Sequence, residues 1–299
     1  MNPPTVPPAI PLERYFQAPG RTLVALSGGV DSAVLLALTA RVNGRSKVSA
    51  VTTFSAAVPA EERASARRVA AHVGVDHDEV ETRELENPEY RGNTGDRCYH
   101  CRIEMFDHLI GIARARGFDT VSYGAIVDDL GDDRPGMRAA EEYGIRAPLI
   151  EAGLTKLDVR ALARDLGLPV SDKPATACLA SRIPVGTPVT AERLAQVERA
   201  ERAVARLGFR QFRVRHHGDV ARLELDENGS HLLRDDRLRQ RLIEEVRAAG
   251  FRFVAVDLEG YRSGSLNLLK GEPAETESAP ATSSRPAGRA GRGSPRRSG

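Results

Sequence analysis

A short loop, Ser27-Gly28-Gly29-Val30-Asp31-Ser32, joins the apolar run Leu23-Val24-Ala25-Leu26 to the helical pattern Ala33-Val34-Leu35-Leu36-Ala37-Leu38. No other stretch of the chain restricts its fold as much. Strand, glycine-rich turn and helix in that order place free amide N–H groups and the positive end of a helix dipole at the carboxyl edge of a sheet. Two glycines let the backbone approach an anion, and Ser27 and Ser32 add hydroxyl donors. The loop reads as a pyrophosphate cradle, with Asp31 as a magnesium or helix-start ligand. It contains no lysine, and neither GxxxxGK[ST] nor GxGxxG occurs anywhere in the chain. The Walker and dinucleotide-binding fingerprints are thereby excluded.

Around this loop, strand and helix patterns alternate. Strands are expected at 22–26, 47–54, 77–80 and 120–124, and helices at 33–42, 60–72 and 103–116. Such alternation implies a parallel sheet covered by helices on both faces, with ligands at the carboxyl ends of the strands. A further helix over 156–166 is stopped by Pro169. Residues 171–188 show neither period and hold three prolines and a glycine, so they are expected to be a linker that also carries chemistry. The helix 191–207, strands 212–216 and 220–225, helix 232–249 and strand 251–258 then predict a small α+β domain. The expected organisation is a flexible start over 1–11, an α/β domain over 12–170, the linker, the second domain over 189–271, and a disordered tail over 272–299, which is rich in Pro, Ala, Ser, Gly and Arg.

No stretch approaches the roughly 18 apolar residues of a membrane span, and residues 1–11 lack the features of a signal peptide. A cytoplasmic protein with no membrane partner is expected. The 299 residues carry 43 basic and 41 acidic side chains, and the tail alone holds five arginines and three glutamates. Residues 1–271 therefore balance at 38 of each sign, which weighs against a nucleic-acid partner. The 39 arginines against four lysines read as compositional bias.

The chain has three cysteines: Cys98 and Cys101 in Arg97-Cys98-Tyr99-His100-Cys101-Arg102, and Cys178 in Ala177-Cys178-Leu179-Ala180-Ser181-Arg182. They are expected in polar, loop-like segments off any apolar stripe, beside arginines whose charge favours the thiolate. A disulfide between Cys98 and Cys101 would be transient in a reducing compartment. Structural zinc would need a fourth ligand such as His100. Three thiolates suit a 4Fe–4S cluster better, because one iron stays open. Arg213 and Arg215 alternate on one face of an expected strand, where they either fork around a phosphate or line a solvated face. The acidic run from Asp128 to Asp133 is either a magnesium site or a solvated turn.

Taken in order, Ser27–Ser32, Asn93–Cys101, Asp133-Arg134-Pro135-Gly136, Ala177–Thr187, Arg213–His216 and Gly260-Tyr261-Arg262-Ser263-Gly264 resemble the LarE family, over about residues 12–267. The resemblance implies an ATP-dependent sulfur transferase built on a PP-loop ATP pyrophosphatase domain with a parallel sheet, plus a smaller C-terminal α+β domain. It implies that Ser27, Gly28, Gly29, Asp31 and Ser32 bind ATP and magnesium, and that a carboxylate of pyridinium-3,5-biscarboxylic acid mononucleotide is adenylated and then converted to a thiocarboxylate on the way to the nickel-pincer nucleotide. Arg213 and Arg215, joined by Arg182 and Glu201, are then expected to bind the mononucleotide phosphate. Cys98, Cys101 and Cys178 together resemble the three-cysteine type of the family, in which a 4Fe–4S cluster delivers sulfide. In the one-cysteine type the residue at the Cys178 position gives up its own sulfur. A sulfide donor and a homo-oligomer are the expected partners. A tRNA-thiolating enzyme, an adenine-nucleotide sensor and an amide-forming synthetase are the competing readings. The balanced charge opposes the first, and the cysteines leave the second with nothing to explain them. The third lacks a glutaminase-like Cys/His pairing and a second substrate domain.

Overall fold

The computed structural model describes residues 11–130, 135–174 and 176–262. Its first sheet is wholly parallel, in the order β3-β2-β1-β4, with β1 at Thr22–Ala25, β2 at Val48–Phe54, β3 at Asp76–Glu81 and β4 at Thr120–Tyr123. Side chains alternate across it. Val24 and Ala50 pack into one core with helix α2 (Val30–Asn43), helix α3 (Ala60–Val73) and helix α8 (Lys156–Asp165), whereas Leu23 and Val51 join helix α5 (Arg97–Arg116) on the other face. A strand buried on both faces must be apolar at every position, which is why Leu23-Val24-Ala25-Leu26 shows no alternation. Helix α2 is similarly enclosed: nine of its 14 residues are buried, Leu35 and Leu36 completely.

Short helices not foreseen from the sequence are α1 (Glu13–Phe16), α4 (Pro88–Gly92), α6 (Pro135–Glu142) and α7 (Pro148–Glu151). Three of them begin at proline, which fits the first turn because its missing N–H has no partner there in any case. Helix α5 starts at Arg97, not at 103, so Cys98 and Cys101 sit on its first two turns and not in a loop. The polar sequence Arg-Cys-Tyr-His-Cys-Arg hides the helical period.

The second sheet has the order β5-β6-β7. Strands β5 (Phe212–His217) and β6 (Val220–Leu225) form a hairpin turned at Gly218, and β7 (Phe253–Val256) runs parallel to β6. Helix α9 (Ala191–Arg206) covers this sheet with Leu194, Val197, Ala200 and Val204. The helix expected over 232–249 is two, α10 (Glu227–Leu232) and α11 (Asp236–Ala248), because the Asp235 carboxylate accepts the N–H groups of Arg237 and Leu238 and caps a new start. Within 171–188, a 3-10 turn over Leu179–Arg182 buries Leu179, Ala180 and Ile183 in the core of the second sheet, alongside Ala57 and Tyr90 from the first half of the chain. No helix among the described residues is long and apolar enough to cross a membrane.

Candidate active site

The loop between β1 and α2 lies at the carboxyl end of the parallel sheet and is closed by its own serines. The Ser32 hydroxyl accepts the Ser27 N–H at 3.2 Å, donates to the Gly29 carbonyl at 3.1 Å, and lies 3.1 Å from the Ser27 hydroxyl. Gly28 has φ +83°, and a Cβ there would stand 2.2 Å from the Glu62 carbonyl of α3. Only glycine fits. Gly124, just past β4, is as tightly placed, since its Cβ would meet the Ser32 nitrogen at 2.7 Å. The loop is thus held between α3 and the end of β4, with its conformation set before any ligand arrives.

Two lysines reach this loop from distant parts of the chain. Lys156, the first residue of α8, holds both oxygens of Asp31 at 2.7 Å, and Lys173 donates to the Gly28 carbonyl at 3.0 Å and to Glu62 at 2.8 Å. Together with Ser27, Gly29, Asp31, Val58, Pro59 and Cys178, they line a cleft of about 220 Å³. Sequence reasoning missed Lys156, Lys173 and Glu62. A usable signal was present: only four lysines survive in this arginine-rich chain, and two of them are here. An ammonium is a compact cation that can move between a carboxylate and a phosphate oxygen, whereas a planar guanidinium is suited to fixed two-point contacts.

Of the three cysteines, only Cys178 lines the cleft; it precedes the 3-10 turn and is exposed, and the next residue, Leu179, donates its N–H to the Ala57 carbonyl at 2.8 Å. Cys98 is exposed and Cys101 packs against the second core. The thiol of Cys101 is pushed up to about 12, first by burial and then by the charge of Glu84, with smaller contributions from Cys178 and Cys98. This corrects the expectation that its arginine neighbour would favour the thiolate. Burial outweighs Arg102, whose effect is in the opposite direction but smaller. Cys98 stands one turn before Cys101 on α5, and Cys101 packs against the same core as Leu179, the residue after Cys178. No three His, Cys, Asp or Glu side chains among the described residues converge tightly enough to hold a single metal ion.

The arginines of the second sheet form a lattice. Arg182 is 1% exposed and spends its guanidinium on both oxygens of Glu201 (2.8 and 3.0 Å), the carbonyls of Ala177 and Cys178 (2.8 and 3.0 Å) and the Ser181 hydroxyl. Arg215 donates to the Ser181 carbonyl at 2.8 Å and to the fully buried Glu224 at 2.7 Å. Glu201 also accepts the Val214 N–H. Arg182 and Glu201 therefore clamp the segment bearing Cys178 to strand β5. Arg213, half-buried, donates to the Phe212 carbonyl at 2.7 Å and lies over the Tyr261 ring. Its pKa is lowered by burial and by the nearby Arg182 charge, a combination that an incoming anion would relieve.

Two residues of the acidic run have local work. Asp129 accepts the Ile126 N–H, and Asp128 accepts the N–H of Lys156 at 2.9 Å, fixing the start of α8 beside the cleft. Asp132, Asp133, Ser263, Gly264 and the segments 1–10 and 272–299 lie outside the described residues. His216 lies 3.3 Å from Gln196 and edge-on to Phe251.

The profile of the asparagine synthase family matches residues 14–90, the half of the first domain that holds the loop. An uncharacterized protein of Synechocystis is 42% identical over 258 residues, covering 86% of this chain and 96% of that protein. The pyridinium-3,5-bisthiocarboxylic acid mononucleotide synthase of Lactiplantibacillus plantarum is 39% identical over 249 residues, covering 83% and 89%. The tRNA-specific 2-thiouridylase MnmA of Azorhizobium caulinodans is 34% identical over 192 residues but covers only 52% of this chain and 49% of its own.

Proposed function

Because the chain belongs to the LarE family of PP-loop, ATP-dependent sulfurtransferases, we propose that it adenylates the carboxylates of pyridinium-3,5-biscarboxylic acid mononucleotide and replaces each adenylate by sulfur, on the route to the nickel-pincer nucleotide. One observation carries this reading: Cys178 stands in the wall of the same cleft as Ser27, Gly29 and Asp31. A carboxylate oxygen attacks the α-phosphorus of ATP, the bond to pyrophosphate breaks, and the acyl-adenylate forms. Sulfur then attacks the acyl carbon and AMP leaves with the bonding pair. Asp31 holds magnesium, while Lys156 and Lys173 neutralise charge on the departing pyrophosphate. Arg213 holds the mononucleotide phosphate from the second sheet, while Arg215, expected beside it, is buried on Glu224 and the Ser181 carbonyl and positions the strand. In this scheme residues 12–170 serve ATP and supply Cys98 and Cys101, 171–188 bring Cys178 and Lys173 to the cleft, and 189–271 serve the substrate.

The donor set fits an iron–sulfur centre. Cys98 and Cys101 lie one turn apart on α5, and Cys101 packs against the same core as Leu179, the residue after Cys178; three thiols spaced in this way suit a polynuclear cluster, whose ligands stand further apart than those of one ion. Cys98, Cys101 and Cys178 would hold it, and when bound it supplies sulfide at the iron that no cysteine ligates. A second reading has its own support, since Cys178 alone of the three lines the cleft. There the Cys178 sulfur attacks the acyl carbon, AMP leaves, and loss of the residue's Hα with cleavage of its Cβ–S bond releases the thiocarboxylate and leaves dehydroalanine.

Incubation of anaerobically purified protein with ATP and substrate should yield AMP and pyrophosphate only when substrate is present. Formation of ADP and phosphate would overturn the adenylation reading. Mass spectrometry of the spent protein separates the two sulfur routes. Repeated turnover on added sulfide, lost in Cys98→Ala and Cys101→Ala, supports the cluster. Activity retained in both variants, with a single turnover and a protein lighter by one H₂S at residue 178, supports sacrifice of the cysteine.

A further inference from the structure

The loop that follows β2 serves three places at once. Val58 and Pro59 line the ATP cleft, the Ala57 carbonyl holds the residue after Cys178, and the Ser55 hydroxyl donates to Oε1 of Glu84 while accepting the Ala57 N–H at 3.1 Å. Glu84 opens a short 3-10 turn, Glu84–Glu86, packed against α4 and α5. It is 3% exposed, and its second oxygen, Oε2, is buried with no hydrogen-bond partner. Neither lysine nor arginine among the described residues pairs with it. An unpartnered carboxylate oxygen out of water is among the costlier features a fold can carry, and it calls for a ligand. Leu85, the next residue, packs in the second core with Cys101, Ala57, Tyr90 and Leu179, the residue after Cys178, and Cys98 lies one turn before Cys101 on α5. The orphaned oxygen therefore belongs to the neighbourhood of the three cysteines.

We propose that Glu84 is the fourth protein donor of the iron–sulfur centre held by Cys98, Cys101 and Cys178, binding through its buried Oε2 the iron that the cysteines leave open. The assignment rests on the cluster reading above. Iron accepts hard carboxylate oxygen beside soft thiolate sulfur, and the bond from Ser55 fixes the rotation of the carboxylate as an outer-shell partner does for a metal ligand. Tyr90 and the second core exclude water from the same place. The carboxylate would keep the fourth iron in the protein while no sulfide occupies it.

The test uses the full chain, reconstituted anaerobically with ferrous iron and sulfide, beside Glu84→Gln and Glu84→Asp. Iron content and electron paramagnetic resonance are followed during mild oxidation by ferricyanide. Gln keeps the volume and a partner for Ser55 but is a poor iron donor, whereas Asp keeps the charge and falls one methylene short. Both variants should lose the fourth iron and develop a three-iron signal on the order of 10-fold faster than the parent. Parent-like retention of iron in Glu84→Gln overturns the proposal and leaves the cluster standing. Parent-like retention in Glu84→Asp overturns ligation as well, because charge alone would then suffice. A parent protein that takes up no iron–sulfur chromophore overturns the cluster reading and this inference together. Melting of the metal-free variants within a few degrees of the parent shows that the comparison is between folded proteins; if Glu84→Gln fails to fold, Glu84→Asp decides.

Discussion

At the cleft beside the loop, Lys156 and Lys173 are 29% and 18% exposed and each meets one carboxylate, whereas in the second sheet Arg182 and Arg215 are 1% and 6% exposed on their glutamates and also tie down the Cys178 segment through its backbone carbonyls. Both regions are built from opposite charges at about 2.7–2.8 Å. Burial separates their roles. A part-exposed ammonium can trade its carboxylate for a phosphate at little cost, because water and the new partner share the change. A buried guanidinium cannot release its glutamate without leaving a charge uncompensated. The cleft is therefore arranged for exchange, and the lattice for holding the Cys178 segment against β5.

The sharpest way to break this contrast is to remove one partner from the lattice. Glu224→Ala strips Arg215 and Arg222 of a fully buried carboxylate, and chemical denaturation should report a loss of about 3–5 kcal/mol. A loss below about 1 kcal/mol would show that the lattice is as exchangeable as the cleft.

Lys173→Met should reverse the balance between stability and chemistry. Substrate-dependent AMP formation is expected to fall by about 10²–10³-fold, as for other removed charge-stabilising donors, while the melting temperature changes by only a few degrees. Lys156→Met should behave alike and also shift the magnesium dependence, because Asp31 loses its resident cation. An unchanged rate would exclude both lysines from the phosphates.

Arg213 lies between the two classes, and its replacement measures where. Arg213→Ala should raise the apparent KM for the mononucleotide by an amount equivalent to about 1.5–3 kcal/mol, with ATP affinity unchanged. A loss of stability without a change in KM would move Arg213 into the lattice.

The smallest effects are those of pH. Burial lowers the pKa of His77, His216 and His217. The unfolded chain then takes up protons that the folded chain refuses, so stability should decline as pH falls below the ordinary imidazole value of about 6.5 toward the lowered folded values. Glu79, held at about 2 chiefly by its hydrogen bond to Arg67, adds a second decline between about 4.3 and 2 as its carboxylate is protonated in the unfolded chain first. Arg67 is 58% exposed, so solvent limits that term to under about 1 kcal/mol. Thermal melts across pH 8 to 2 would check both, and a midpoint that rises toward pH 5 would contradict the first.

The parallel sheet was legible because its strands and helices alternate with a clean change of period, and the cleft because a glycine-rich turn between strand and helix has few other uses. The helical start of α5 was not, since six polar or reactive residues open it and mask the 3.6-residue period. Cys101 was misjudged because its burial comes from the second core, built from residues about 80 positions later, such as Leu179 and Ile183. Arg182 illustrates the limit most plainly. The family resemblance implied a phosphate ligand, but which carboxylate occupies a guanidinium is decided by the packing of α9 on β5, and no local pattern records it. Lys156 and Lys173 are likewise 125 and 145 residues from the loop atoms they meet.

The ion pair between Lys156 and Asp31 has a consequence for traffic through the cleft. With Asp31 on Lys156 and Glu62 on Lys173, the cleft carries its own counterions and offers stray polyanions little net attraction. Any triphosphate must outcompete two tethered carboxylates, which weakens its binding by the free energy of the resting state. The same competition operates in reverse after bond cleavage. Pyrophosphate, no longer anchored by the nucleoside, faces carboxylates waiting to reclaim both ammonium groups. Under the proposed chemistry, a cleft whose charges are already paired would act as an ejector, which suits reloading for the second carboxylate of one substrate.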